Sequence, residues 1–375
     1  MKARGTVTRR ALVLAGAAAA GTILVGPAAP GGPPVARAEA RGGTPATGRR
    51  GHAVRQRWQV PSGSADHYLA AADQRVFLLV DGIACHRADT GARAWFAPML
   101  LSNYFQFLAP GGDALYSFLT PVVGNAVQCV LDCRDSATGA ARWQRQLTEL
   151  VEALAGHRDG VLTMSRNDGM QVTGYDADGE VRWRRTGELL GPVVDGAALV
   201  GDPRGTALVD ARTGVPRWRI RPGRFAALAT SPDGRFATGY GDLGGVPPHV
   251  ARIDLRDGSE RWRRAGEVDA AADDGANLVV SGNHRETTGL DPATGAERWR
   301  TATAGDLALT AGLAWILVGS DTRVVDAASG AQVATPFAAA PRRSTVVGDL
   351  LVTTDGAHLT AYGPDRAAAQ PGGTR

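Results

Sequence analysis

The sequence predicts an all-β chain folded as an eight-bladed β-propeller, closed by an N-terminal strand that joins the last blade. Three observations predict it. A segment reading Asp, two residues, Thr-Gly, three residues, Trp recurs along the chain. The positions equivalent to its Trp lie 35 to 48 residues apart. Between the copies run short apolar stretches separated by Gly-rich turns, the pattern of about four strands per unit. The composition agrees with this: of 375 residues 44% are hydrophobic, 49 are Gly and 21 are Pro. That supplies apolar surface and many turns, and excludes a mostly disordered chain.

Taken in order, residues 1–38 read as an export signal. Lys2, Arg4, Arg9 and Arg10 form a basic start, an Ala- and Gly-rich apolar run covers 11–25, and a small-residue cleavage pattern ends at Ala38. The sequence around Arg9 and Arg10 resembles the twin-arginine export motif; a general secretory signal that happens to hold two arginines is the other reading. The apolar run falls short of the roughly 20 residues a membrane span needs. No cysteine precedes Cys85, so no lipid-bearing cysteine and no stable anchor after cleavage is expected. Residues 39–51 are polar and Gly-rich and read as a flexible linker.

The propeller is expected over 52–362. Its repeat is complete at Asp135…Gly139…Trp143, Asp210…Gly214…Trp218 and Asp291…Gly295…Trp299. Near-copies hold Gly179 with Trp183, Gly258 with Trp262, and Gly330 with Ala334 in place of Trp. In the first copy, with Gly91 and Trp95, Arg87 replaces the Asp. Each Asp-x-x-Thr-Gly reads as a hairpin turn, with Gly accepting a positive φ and the Asp carboxylate accepting backbone N–H bonds. Each Trp then fills space between packed sheets. Trp58 has no turn before it, and 350–362 has no turn and Trp after it. These two halves are expected to pair as the eighth blade, which removes an open edge. Residues 363–375 read as a disordered tail.

The unit Asp291-Pro-Ala-Thr294-Gly295-Ala-Glu-Arg298-Trp299 resembles the repeat of the pyrroloquinoline-quinone-type propellers, and the resemblance covers essentially the whole mature chain. WD-type repeats share the turn but place Trp immediately before the Asp, where this chain has Val209, Ile253, Leu290 and Val325. The resemblance implies one of two roles. One is a non-catalytic scaffold similar to the propeller subunit of the β-barrel outer-membrane assembly machinery, binding protein partners at the cell envelope. The other is a small secreted quinone-dependent dehydrogenase, or another enzyme using the central channel. Such dehydrogenases carry adjacent cysteines, a calcium site and long insertions. This chain has no Cys-Cys pair, and Cys129-Val-Leu-Asp-Cys133 is neither that motif nor a haem attachment site. The motifs therefore do not support bound quinone, no cofactor or metal is expected, and the scaffold role is favoured. The chain is expected to be monomeric and extracytoplasmic.

Candidate binding residues follow from loop length. Two units carry extra residues in the second-to-third strand loop or the blade-to-blade loop, which emerge on one face. That face offers Tyr104, Phe105, Asn125, Asp242 and His249, with Phe105 and Phe107 also readable as core of an innermost strand. Arginines flank the tryptophans, as at Arg182 and Arg184, Arg217 and Arg219, Arg261 and Arg263, and Arg298 and Arg300. They read as a charged rim that discourages edge-to-edge pairing; a belt for anionic cell-wall polymer is the alternative. Cys85 is able to pair only across blades, with Cys129 or Cys133, and buried free thiols are the other reading. The seven histidines lack metal-type spacing. Finally, the net charge of +4 belongs to the signal: residues 1–38 hold five of the 41 basic residues and none of the 37 acidic ones. The remainder carries −1, which removes the bulk-charge argument for nucleic acid or anionic membrane.

Overall fold

The computed structural model describes residues 54–62, 68–98, 106–120, 128–166, 169–220, 224–241, 249–282, 285–318, 322–333 and 341–364, together with the short strands Thr22–Ile23, Val122–Val123 and Ala126–Val127. Eight sheets of antiparallel strands make up the propeller. Blades 1 to 7 span 68–98, 107–147, 151–186, 188–220, 225–265, 270–301 and 306–333. Each has four strands in simple up-and-down order.

Blade 8 takes three strands from 343–364. Its outer strand, Val54–Pro61, comes from the other end of the chain and pairs antiparallel with His358–Pro364. The last strand runs to Pro364 rather than stopping at 362, because Gly363 and Pro364 pair with Arg55 and Val54. Thr22–Ile23 pairs with Ser344 and Thr345 on the inner strand of this blade.

No single central core holds the ring. Among the described residues, the buried apolar side chains fall into eight clusters, each across one junction between neighbouring blades. At the junction of blades 8 and 1, Trp58, Val352 and Leu359 meet Leu69, Val76 and Leu78. At that of blades 7 and 8, Trp315 tilts against Tyr362 with ring centroids 6.3 Å apart. This follows from the pattern of alternation. A strand inside a blade exposes both faces to neighbouring sheets, so second strands such as Ala114–Leu119 and Leu313–Leu317 are buried throughout.

Because strands within a blade alternate in direction, second-to-third and blade-to-blade connections leave at one end, and the Thr-Gly turns at the other. Blade 2 carries a small extra hairpin at the first end, where Val122–Val123 pairs with Ala126–Val127.

Candidate functional site

The repeated residues meet at the junctions. Trp299, on the outer strand of blade 6, lays its indole on Gly330 in the turn of blade 7 and donates its ring N–H to the Ala327 carbonyl at 2.8 Å. The same arrangement recurs at seven junctions. Each tryptophan from Trp58 to Trp299 donates to a turn carbonyl of the next blade. Each indole also covers that turn's glycine, in the order Gly91, Gly139, Gly179, Gly214, Gly258, Gly295 and Gly330. The glycine has two duties. At Gly330 φ is 71°, a left-handed conformation that L residues avoid. A Cβ there would lie 2.7 Å from the Trp299 ring. The tryptophans therefore fill space between neighbouring sheets and at the same time dock on the next blade's turn.

The turn is built by its own side chains. Asp291 Oδ1 accepts N–H bonds from Ala293 and Thr294, both at 2.9 Å, and the Thr294 hydroxyl donates to it at 3.0 Å. The other carboxylate oxygen takes Arg298, at 2.7 Å. That Arg precedes Trp299, where the ladder shifts register. A β-bulge there inserts one unpaired residue and re-aims its side chain. The bulge falls before the Trp in all seven such strands. In blades 2 to 6 the bulged residue is Arg, paired with the Asp that opens the turn. Blade 1 has lost both partners: Ala94 occupies the bulge, and Arg87 turns to Asp89 at 2.7 Å. Two residues beyond the Trp, Arg185 and Arg264 reach across to the Gly214 and Gly295 carbonyls, each at 3.0 Å. Most of the arginine rim is thus engaged in clamps within and between blades.

These clamps make the fold sensitive to acid. Arg142 beside Asp135, and Arg298 beside Asp291, hold those carboxyls down to about 2. Carboxylates with depressed folded-state values contribute stability above the unfolded value of about 3.9, and lose it as pH falls through the folded value. Thermal melts followed by circular dichroism are expected to show Tm falling between about pH 4 and pH 2. The fall should be shallower in Asp135→Asn with Asp291→Asn, and an unaltered slope would count against the clamps.

Of the candidate binding residues, Tyr104, Phe105, Asn125 and Asp242 lie outside the described residues, as do Arg9, Arg10 and Ala38 of the export signal. His249 is not an exposed loop residue. It opens the third strand of blade 5, between Gly241 and Ala265, and is buried. Phe107 lies on an innermost strand and is core. The three cysteines are free. Burial pushes Cys85 and Cys133 up to about 12, so both are protonated thiols at neutral pH. Burial also lowers the values of His86 and His157, which favours neutral imidazoles. A buried ion pair, Arg252 with Asp273 at 2.6 Å, ties blade 5 to blade 6, with the Arg252 guanidinium over the Phe236 ring.

A family model described as outer membrane protein assembly factor BamB matches residues 247–340. A solved structure of BamB from Moraxella catarrhalis superposes with a TM-score of 0.62 at 16% identity, covering 83% of this chain and 97% of that one. The chain shares the eight-bladed propeller fold of these proteins. The computationally designed Ika8 protein matches with a TM-score of 0.59 at 15% identity, over 80% of this chain and 97% of its own. The quinohemoprotein alcohol dehydrogenase ADHIIG from Pseudomonas putida HK5 matches at 0.53 and 11% identity, over 83% of this chain and 76% of its own. At these identities the structural likenesses carry the fold alone. A search of curated proteins returned no sequence match.

Among the described residues, no three of His, Cys, Asp and Glu come together as a metal site. Cys129 and Cys133 sit four positions apart on one strand and are not an adjacent pair.

Proposed function

We propose that the mature chain is a non-catalytic scaffold that binds a protein partner at the cell envelope, after export directed by residues 1–38. The observation that carries this reading is the use of the repeat. Its Asp, Thr, Gly, Arg and Trp are committed to docking one blade on the next, and the matching family model is that of an assembly factor. The BamB likeness supports an extracytoplasmic site of action, and the Arg9-Arg10 pair supports the twin-arginine route.

One preparation tests the reading. Mature protein given pyrroloquinoline quinone and Ca²⁺ is expected to show no shift in melting temperature and no dye-linked oxidation of alcohols or sugars. Crosslinking in intact producing cells is expected to give a discrete protein adduct. Arg9→Lys with Arg10→Lys should leave unprocessed precursor inside. A melt shift together with turnover would replace the scaffold reading by the dehydrogenase reading that the ADHIIG likeness brings.

A further inference from the structure

Six of the seven tryptophan-bearing outer strands guard their edge in the same way. The residue before the Trp is Arg, and the residue after it is Arg or Gln. Blade 1 breaks both rules, with Ala94 before Trp95 and Phe96 after it. Its outer strand, Arg93–Pro98, pairs on one side with Gly82–Arg87 and ends the sheet on the other. An edge strand presents a row of backbone donors and acceptors, and charged side chains are the usual means of discouraging another strand from joining it. Here the bulge, Arg93 and Pro98 remain, but the two positions flanking the Trp carry Ala94 and Phe96 in place of charged or polar residues.

The chemistry around this edge specifies what would join it. Phe96 is 41% exposed and is the one aromatic among the exposed large apolar side chains of the described residues. It lies on the opposite face of the strand from Trp95, which docks on blade 2. The Arg93 guanidinium lies 5.4 Å from the Phe96 ring centroid, and no carboxylate pairs with it among the described residues. The turn leading into the strand contributes Asp89 to a cavity of about 560 Å³, also lined by Arg55, Gln56 and Arg57 from the outer strand of blade 8 and by Asp349 and Leu350 of the same blade. Arg57 occupies the bulge, but blade 8 has no Asp-bearing turn to receive it, and it donates to the Pro364 carbonyl instead. The outer edge of blade 1 thus presents an exposed phenyl ring beside a guanidinium that has no carboxylate partner among the described residues, whereas Arg57 shares its cavity with Asp89 and Asp349.

We infer that the outer strand of blade 1 is a docking edge for an extended, acidic segment of a partner protein, which pairs with Arg93–Pro98, sets an apolar side chain on Phe96 and directs a carboxylate at Arg93. This deepens the scaffold reading and rests on it. Extended peptides that add to a sheet edge take affinity from main-chain hydrogen bonds and specificity from alternate side chains. Guanidinium groups are suited to paired carboxylate contacts.

The test uses two labelled synthetic peptides, Glu-Val-Thr-Val-Thr-Val-Asp and its counterpart with Lys at both ends, titrated with the mature protein by fluorescence anisotropy. The acidic peptide is expected to bind and the basic one not. Phe96→Arg and Phe96→Gln install residue types that other blades carry at this position, so the melt should be unchanged. Binding should weaken by about tenfold or more, as for loss of an interface anchor. Arg93→Glu should reverse the preference between peptides. Absence of acidic-peptide binding up to millimolar protein, or binding indifferent to Phe96→Arg, would overturn the proposal. Concentration-dependent dimerisation lost in Phe96→Arg would also overturn it, by naming a second copy as the occupant. The in-cell crosslink separates the two levels: an adduct that persists in Phe96→Arg keeps the scaffold reading and rejects this edge, whereas no adduct in the wild type rejects the scaffold reading itself.

Discussion

Replacing Trp299 by Ala is expected to destabilise the propeller by about 3–5 kcal/mol, the range for truncating a large buried aromatic. The ring is 8% exposed, sits in the cluster joining blades 6 and 7, and has its N–H satisfied by Ala327. Removing it strips the apolar cover from the Gly330 turn and leaves the Ala327 carbonyl without that donor. The partner substitution makes the prediction specific. Gly330→Ala places a methyl 2.7 Å from the indole and keeps φ at 71°, so it carries both a clash and a backbone penalty. The left-handed conformation alone costs roughly 1–2 kcal/mol for an L residue. In the Trp299→Ala background the ring clash disappears, and a 3.0 Å contact with the Cβ of residue 299 and the backbone penalty remain. Urea unfolding of the two single variants and the double variant should therefore give a strongly non-additive cycle. Additive losses would mean that the indole and the glycine are not one device.

Most of this device is legible in the sequence, because Trp, Gly and Asp have chemistries that few other residues replace. The period, the turns and the number of blades follow from them. Their mutual contact is not legible, since Trp299 and Gly330 belong to successive units and nothing local says that one covers the other. The partners of the arginines are not legible either, for a physical reason. Simple alternation puts Arg298 and Arg300 on one outward face. The bulge adds a residue before the Trp, turning Arg298 to Asp291, while Arg300 pairs with Glu286 and Glu297. His249 looked like loop because a Gly- and Pro-rich stretch precedes it; the third strand of blade 5 begins on it and pairs on both sides. The absence of Trp at position 334 also has a structural reason. Its receiver would be a Thr-Gly turn in blade 8, and that blade has none, because its third and outer strands come from opposite ends of the chain.

That seam gives the other large effect. Deleting residues 52–60 is expected to lower Tm by on the order of 10 °C or more, for three linked reasons. Nearly the whole outer strand Val54–Pro61 is lost, so His358–Pro364 becomes an unpaired edge. Trp58 goes with it, removing the indole that covers Gly91 and donates to the Ala88 carbonyl at 2.8 Å. The cluster between blades 8 and 1 then loses one of its largest members. Trp58→Ala separates the contributions, since it keeps the strand's backbone pairing and removes only the docking. It should reproduce part of the drop, comparable to Trp299→Ala. If the deletion merely matched Trp58→Ala, the backbone pairing across the seam would add nothing, and an unchanged melt would refute the scheme in which the N-terminal strand closes the ring. The expected order is wild type above Trp58→Ala above the deletion, with the transition broadening in the deletion as blade 8 uncouples from blade 1.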